Sequence, residues 1–168
     1  NNGTNATQWL HVSIPPGVEL KDKIWLTEGG LKADIASYYM GVPFLATPGN
    51  SPIERVVQTL KGLGVNNVVL AYDADQQINQ NIRKVVETLD SGITSIGMKV
   101  QSASWPTRLV NNRLIPKGID DACVEYAKQS RSVEEYIFVT VTETRKVTKD
   151  SVEETRRYEV KGNATFMQ

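Results

Sequence analysis

The sequence predicts a Rossmann-like α/β fold, in which a four-stranded parallel sheet is flanked by helices and a β-hairpin is added at the C-terminal end. Short apolar runs alternate with amphipathic segments four times between residues 24 and 128. This order is typical of parallel strands joined by right-handed crossover helices. Beyond residue 135 β-branched and polar residues alternate on both sides of a charged turn over 145–154, which predicts the antiparallel hairpin.

The chain begins with a lead-in strand and the first strand–helix unit. Residues 8–14 predict the short lead-in strand, which Pro15-Pro16-Gly17 ends. Ile24-Trp25-Leu26 predicts the first strand of the parallel sheet, and a helix over 31–40 follows it. Gly41 is expected to close that helix, because glycine accepts the left-handed conformation that helix ends favour.

The second unit has a strand over 42–46 and a helix with clear start signals. Ser51 is the expected N-cap, Pro52 fits the first helical position, and Glu54 would complete a capping box with Ser51. The helix has one apolar face, which must pack on a sheet. That face carries Ile53, Val56, Val57, Leu60 and Leu63.

The remaining units follow the same order. Residues 68–72 predict the third strand, and the helix after it is expected to stop near Gly92. The apolar face of that helix carries Ile82, Val85, Val86 and Leu89. Residues 95–102 predict the fourth strand, and a last helix begins near Ile119. Its apolar face carries Ile119, Ala122, Cys123, Tyr126 and Ala127.

Composition limits the classes of protein to consider. Lys plus Arg and Asp plus Glu number 19 each, and such a balance argues against an autonomous, tight nucleic-acid binder. It permits an enzyme whose neighbouring domains hold the strand. No stretch approaches the roughly 20 apolar residues of a membrane span. The polar start at Asn1 and the single cysteine, Cys123, predict a reducing, cytoplasmic setting.

Three regions are expected along the chain. Residues 1–21 form a flank with the lead-in strand, 22–131 form the main α/β domain, and 132–168 form the hairpin or the start of a further domain. Because the sequence does not begin with Met, we read it as a segment of a longer protein.

Acidic residues follow the predicted strands at the points where ligands bind in open parallel sheets. Glu28 follows the first strand, Asp73 and Asp75 follow the third, and Asp120 with Asp121 begins the last helix. Carboxylates that meet at one edge repel one another unless a cation lies among them. Oxygen ligands suit Mg²⁺ or Mn²⁺, and the sequence has no cluster of Cys or His that would suit zinc. The pattern therefore predicts a divalent-cation site.

Other residues fit phosphate binding beside these acids. Gly29 and Gly30 leave the helix start after Glu28 free of side chains, so that a phosphate can approach the backbone amides. Lys117 precedes the acidic pair of the last helix and can contact a phosphate. Each motif also has a structural reading: Asp-x-Asp can be a helix cap, and Gly-Ile-Asp-Asp can be a helix start. Their joint order favours the cation site.

Three segments, WLTEGGLKAD, VVLAYDAD and KGIDDA, resemble a Toprim domain, the catalytic fold of bacterial-type primases, of type IA and type II topoisomerases and of some nucleases. The chain is most similar to the Toprim-like domain of plasmid, phage and integrative-element primase or replication proteins. The resemblance covers about residues 22–130. It implies single-stranded DNA and nucleotides as partners, with a zinc-finger or helicase domain elsewhere in the same polypeptide.

The resemblance also implies roles for the acidic residues. Glu28 would act as acid or base or support a metal, and Asp73 and Asp75 would hold Mg²⁺ or Mn²⁺. Asp120 matches a further metal position that some primases use, and Asp121 would share it. Cellular primases often carry a second acid where this chain has Lys32, which puts a second metal in doubt and suggests that Lys32 contacts a phosphate.

Three functions remain open from the sequence. The leading one is a primase-like nucleotidyltransferase of the DNA-directed RNA polymerase type, and the second is a nuclease that hydrolyses phosphodiesters. The third is a non-catalytic module that retains the fold and binds nucleic acid or a partner. The intact acidic set argues against the third, because a scaffold does not need clustered carboxylates. The flanking domains of the full-length protein would separate the first two.

The other conspicuous residues receive structural readings. Trp105 is expected to cover the sheet as an aromatic plug, in preference to stacking on a base. Cys123 lies on an apolar face and is expected in the core. His11 has no visible partner in the sequence and receives no role.

Overall fold

Four parallel strands form the centre of a seven-stranded sheet, in a computed structural model that describes residues 9–49, 51–129, 133, 136–144 and 155–160. For residues 140–144 and 155–160 the description is of the backbone. The strands of this sheet, in chain order, are β1 (His11–Ser13), β2 (Lys23–Glu28), β3 (Phe44–Thr47), β4 (Asn67–Leu70), β5 (Lys99–Ser104), β8 (Phe138–Thr144) and β9 (Thr155–Val160). A separate two-stranded ribbon consists of β6 (Arg108–Val110) and β7 (Arg113–Ile115).

The order across the large sheet is β1-β3-β2-β4-β5-β8-β9. β3, β2, β4 and β5 run parallel, whereas β1 and β8 pair with β3 and β5 in the antiparallel sense. Four α-helices are described: α1 (Gly30–Met40), α2 (Ile53–Leu63), α3 (Gln80–Ser95) and α4 (Ile119–Lys128). The predicted α/β class, with a parallel sheet flanked by helices, is confirmed.

The helices cover the two faces of the sheet in pairs. α1 and α4 pack on one face, where Phe44, Val69 and Ile119 are fully or almost fully buried. α2 and α3 pack on the other face, where Leu26, Leu60 and Ile93 are fully buried. Because β2, β3 and β4 are covered on both sides, most of their buried residues are apolar, and the pattern of short apolar runs follows from this.

The C-terminal hairpin extends the same sheet. β8 pairs with β5, with Gln101 opposite Val141, and β9 pairs with β8, with Val141 opposite Tyr158. The predicted turn over 145–154 lies outside the described residues.

Two predicted helix boundaries are wrong. α3 continues through Gly92 to Ser95, so the next strand begins at Lys99 and not at residue 95. A Cβ at Gly92 would lie 2.6 Å from Cγ1 of Ile53, so this glycine allows α3 to approach α2 closely and does not end the helix. α2 begins at Ile53 without a side-chain cap, so Ser51 is not its N-cap and forms no capping box.

The β6–β7 ribbon lies between β5 and α4, in a segment for which the sequence analysis predicts no strand. Asn111 and Asn112 have φ values of 49° and 60°, which suit the tight hairpin turns that follow the twist of the strands. The Asn-Asn pair is a recognisable signal for such a turn, because asparagine tolerates the left-handed region better than most residues. Within the described part of the chain, no helix is long and apolar enough to cross a membrane.

Candidate functional site

The topology creates a crevice at the carboxyl ends of β2 and β4. These two strands are neighbours, with Leu26 opposite Leu70. The chain leaves β2 towards α1 on one face of the sheet, and it leaves β4 towards α3 on the other face. A divergence of this kind opens a crevice in which α/β proteins bind ligands.

The crevice contains a cleft of about 490 Å³, which we call the central cleft. Its polar lining includes Glu28, Lys32, Asp73 and Lys117. Glu28 is the last residue of β2 and is exposed, whereas the side chain of Asp73 is only 14% exposed. The structure therefore places an acid from the β2 end and an acid from the β4 end in one cleft, together with two lysines.

The two lysines neutralise the Asp-x-Asp pair. Lys32, on the first turn of α1, forms a short ion pair with Oδ1 of Asp73. Nζ of Lys117 lies 3.5 Å from Oδ2 of Asp73 and 3.1 Å from Oδ2 of Asp75. The hydrogen bond to Asp75 is the main cause that raises the pKa of Lys117, with the charge of Asp73 adding to it. The two aspartates thus share one ammonium group.

Backbone contacts hold Lys117 in this position. The carbonyl of Lys117 accepts a hydrogen bond of 2.8 Å from the amide of Ala74, between the two aspartates. The neighbouring carbonyl of Pro116 accepts a 3.1 Å bond from Nε1 of Trp105, whose side chain is 5% exposed. The buried position of Trp105 agrees with the predicted aromatic plug and leaves its ring unable to stack on a base.

Asp120 lies close to Asp73. A Cβ on Gly118 would lie 2.3 Å from Oδ1 of Asp120 and 3.4 Å from Oδ1 of Asp73, so the two carboxylates flank this glycine. Oδ1 of Asp120 is buried and has no hydrogen-bond partner among the described residues. Burial, followed by the charge of Asp121, raises the pKa of Asp120. Among the buried side-chain atoms of the described residues, this oxygen is therefore an acceptor without a donor.

Asp121 caps the start of α4. It is exposed, and its Oδ2 accepts a 3.4 Å hydrogen bond from the amide of Gly118 at the start of α4. This contact satisfies one of the free amides of the helix start. The structural reading of the second aspartate in Gly-Ile-Asp-Asp therefore accounts for its position. Asp121 also lines a pocket of about 660 Å³ beside α4, together with Asp120 and Lys117.

The two glycines after Glu28 have structural tasks. Gly29 has a φ of +88°, and its amide donates a 2.9 Å hydrogen bond to the carbonyl of Thr47, so this amide is not free for a phosphate. A Cβ on Gly30 would lie 3.2 Å from the imidazole of His11, so Gly30 makes room for β1 beside α1. The first backbone amide of α1 that a phosphate could approach is therefore that of Gly30.

His11 does have a partner, and the expectation that it has none is wrong. Its Nε2 lies 2.7 Å from Oδ1 of Asp34, on the exposed side of α1. The two residues are 23 positions apart, and only the pairing of β1 with β3 brings them together. Asp34 thereby belongs to the contact between β1 and α1 and not to the central cleft.

The residues present fit a hard divalent cation in their chemistry. Asp73 and Asp75 already share one positive group, and Asp120 presents a buried oxygen without a partner beside Asp73. Oxygen donors of this kind are what Mg²⁺ and Mn²⁺ prefer. In the described residues no three acidic, His or Cys side chains are grouped closely enough to hold a metal ion as they stand. A cation would therefore have to take the place of the lysine ammonium groups.

Comparison of the chain with family models and with curated proteins finds no match. The interpretation of the site thus depends on its own geometry and chemistry.

Proposed function

We propose that this protein carries out metal-dependent nucleotidyl transfer on nucleic acid, as a Toprim-like domain of a primase-like replication protein. The observation that carries the proposal is the meeting of Glu28, Asp73, Lys32 and Lys117 in one cleft at the carboxyl edge of the parallel sheet. This edge is where open α/β sheets bind nucleotides. Positive groups and carboxylates side by side suit a ligand made of phosphates and cations.

Asp73 and Asp75 would hold Mg²⁺ or Mn²⁺, with Asp120 as a further oxygen donor. When bound, the cation would neutralise charge on the reacting phosphate. Lys32 and Lys117 would then turn to phosphate oxygens. The side chain of Lys117 is half exposed, and its Nζ reaches both aspartates. A small rotation of this flexible side chain can therefore present its ammonium group to a ligand.

Glu28 differs from the aspartates in having an exposed side chain at the mouth of the cleft. Such a position allows it to take or give a proton at the attacking hydroxyl. Two lysines at one edge favour a triphosphate over a single phosphodiester, because a phosphodiester carries one charge and a triphosphate several. This charge balance favours nucleotidyl transfer over hydrolysis of a strand.

A second candidate, a phosphate-binding module without catalysis, is favoured by one observation. The lysines already neutralise Asp73 and Asp75, so the cleft is stable without a cation and can bind a phosphate through Lys32 and Lys117 alone. The two candidates differ in whether divalent cations enter the cleft and whether turnover follows.

The test is a nucleotidyl-transfer assay with Glu28→Gln and a matched Glu19→Gln control, which changes an exposed glutamate before β2. Template, nucleoside triphosphates and Mg²⁺ or Mn²⁺ are supplied, and the same samples are assayed for cleavage and for binding of single-stranded DNA. Turnover should fall by roughly 100-fold or more in Glu28→Gln, with DNA binding unchanged, since a proton-transfer group stabilises the transition state and not the bound substrate. Equal turnover in both variants would exclude Glu28 from the chemistry. Cleavage without transfer would favour a nuclease, and neither activity would favour the binding module.

A further inference from the structure

A second, smaller pocket of about 330 Å³ adjoins the central cleft, and we call it the side pocket. It lies between the segment after β3 and the exposed edge of α3. Gly49, Tyr72 and Val85 line both the side pocket and the central cleft, so the two are continuous. The charged residues that line the central cleft are absent from the lining of the side pocket: Glu28, Lys32, Asp73 and Lys117.

The lining of the side pocket is mainly apolar, with a few polar groups at its edge. Pro52, Ile53 and Leu89 supply apolar surface, and the ring of Tyr72 is almost fully buried. The hydroxyl of Tyr72 lies 3.0 Å from Oγ1 of Thr47, and burial raises its pKa to about 12, so this group stays neutral. A pocket of this size and character suits a small, flat ligand.

Polar groups on α3 complete the side pocket. Lys84 can donate hydrogen bonds. The hydroxyl of Thr88 donates a 2.8 Å bond to the carbonyl of Lys84, which leaves its oxygen free to accept a hydrogen bond. A nucleobase has apolar faces and an edge with both donors and acceptors, so these groups match its chemistry.

We infer that the side pocket binds a nucleobase whose phosphates lie in the central cleft, so that the two cavities together form one nucleotide site. The base belongs to a free nucleoside triphosphate or to a nucleotide at the end of a strand. The inference rests on the proposed function, because it assigns the central cleft to phosphates. It goes further by placing the base between the start of α2 and α3, on the face of the sheet opposite α1 and α4.

The experiment compares the binding of ATP, inorganic tripolyphosphate and a short single-stranded oligonucleotide by calorimetry in the presence of Mg²⁺. The variant is Lys84→Met/Thr88→Met, which replaces the two polar side chains that α3 contributes to the side pocket by long apolar ones. The control is Lys61→Met/Thr94→Met, which makes the same changes at exposed positions of α2 and α3 outside the pocket. Both variants lose one positive charge, and both place good helix formers in helices.

In the wild type and the control, ATP should bind roughly tenfold more tightly than tripolyphosphate, since contacts of a base with a protein surface contribute on this scale. In Lys84→Met/Thr88→Met this advantage should disappear while tripolyphosphate binds as before. A loss confined to the oligonucleotide would assign the pocket to a strand end. Equal binding of ATP and tripolyphosphate in the wild type, with the oligonucleotide unaffected by the variant, would overturn the inference.

The outcome is separable from the test of the proposed function. If Glu28→Gln keeps full turnover but the advantage of ATP over tripolyphosphate is present in the wild type and lost in Lys84→Met/Thr88→Met, the nucleobase pocket stands and the catalytic proposal fails. If Glu28→Gln abolishes turnover but ATP and tripolyphosphate bind equally and the oligonucleotide is unaffected by the pocket variant, the pocket fails alone. Thermal melts of both methionine variants check that they remain folded, and the unchanged tripolyphosphate affinity provides a second check.

Discussion

Nζ of Lys117 lies 3.1 Å from Oδ2 of Asp75, and the same ammonium group lies 3.5 Å from Oδ2 of Asp73. The side chain of Lys117 is half exposed, whereas the aspartates are 14% and 22% exposed. Lys117 therefore bridges the two aspartates, whereas Lys32 pairs with Asp73 alone. Because the side chain of Lys117 is half exposed, a ligand can draw its ammonium group away at little cost.

Removal of this ammonium group should expose the repulsion between the aspartates. We expect Lys117→Met to lower the free energy of unfolding by about 1 kcal/mol without divalent cations, since the pair is only partly buried. Addition of Mn²⁺ should recover most of the loss, because a cation that binds the folded state stabilises it. Denaturant melts with and without Mn²⁺ measure both effects.

Lys99→Met is the control, because Lys99 is an exposed lysine at the amino end of β5, away from the cleft. A response to Mn²⁺ of the same size in both variants would show that the cation does not act at the aspartates.

The contact between Gly92 and Ile53 should make a helix-favouring substitution harmful. Gly92→Ala normally stabilises a helix interior by about 1 kcal/mol. Here the new methyl group would lie 2.6 Å from Cγ1 of Ile53, and relief of such crowding costs about 1–3 kcal/mol. We therefore expect a net loss of stability, measured by urea unfolding.

The double variant Gly92→Ala/Ile53→Ala separates crowding from other causes. With the isoleucine shortened, alanine at position 92 should become neutral or stabilising relative to Ile53→Ala alone. An equal effect of Gly92→Ala in both backgrounds would mean that the two residues do not interact.

The pairing of His11 with Asp34 should make stability depend on pH. The hydrogen bond from His11 lowers the pKa of Asp34, so the folded state favours the ionised carboxylate. Its contribution is present above the ordinary range of an aspartate and is lost as the pH falls through the lowered pKa. Asp34→Asn should therefore reduce stability at neutral pH by at most about 1 kcal/mol, because both side chains are about half exposed.

The measurement is the melting temperature of wild type and Asp34→Asn from neutral pH downwards. The difference should shrink to nothing once the pH lies below the lowered pKa. Glu87→Gln, an exposed acid on α3, serves as the control. A difference between wild type and Asp34→Asn that persists in strong acid would contradict an electrostatic origin.

Much of the fold was predictable because local signals and burial agree. The apolar face of α2 predicts the buried positions of Val56 and Leu60, and the apolar run at 68–70 predicts a strand covered on both faces. The partner of β1 was not predictable, since its antiparallel pairing with β3 is a contact between distant residues. The end of α3 was misplaced because a glycine at a close helix contact resembles one at a helix end.

The candidate site likewise has a part that the sequence predicts and a part that it does not. The places of Glu28 and Asp73 beyond parallel strands could be predicted, because carboxyl ends of such strands meet at one edge. The ion pair of Lys32 with Asp73 could not be read from the sequence, since it depends on β2 and β4 being neighbours in the sheet. Those of Lys117 could not either, since they depend on how the segment before α4 returns to the loop after β4. The bond between the amide of Ala74 and the carbonyl of Lys117 sets that return, and a single sequence does not encode it as a local pattern.

The most direct test of the proposed cation site is a titration of the protein with Mn²⁺, followed by the electron paramagnetic resonance signal of the free ion. Wild type is compared with Asp73→Asn/Asp75→Asn, and Asp22→Asn/Asp90→Asn removes two acidic residues outside the cleft as the control. Wild type and control should bind Mn²⁺ with a similar dissociation constant. Asp73→Asn/Asp75→Asn should weaken binding by more than roughly tenfold, because loss of a residue that only orients a metal ligand already costs that much. Binding of Mn²⁺ that is equal in all three proteins would contradict a cation site at Asp73 and Asp75.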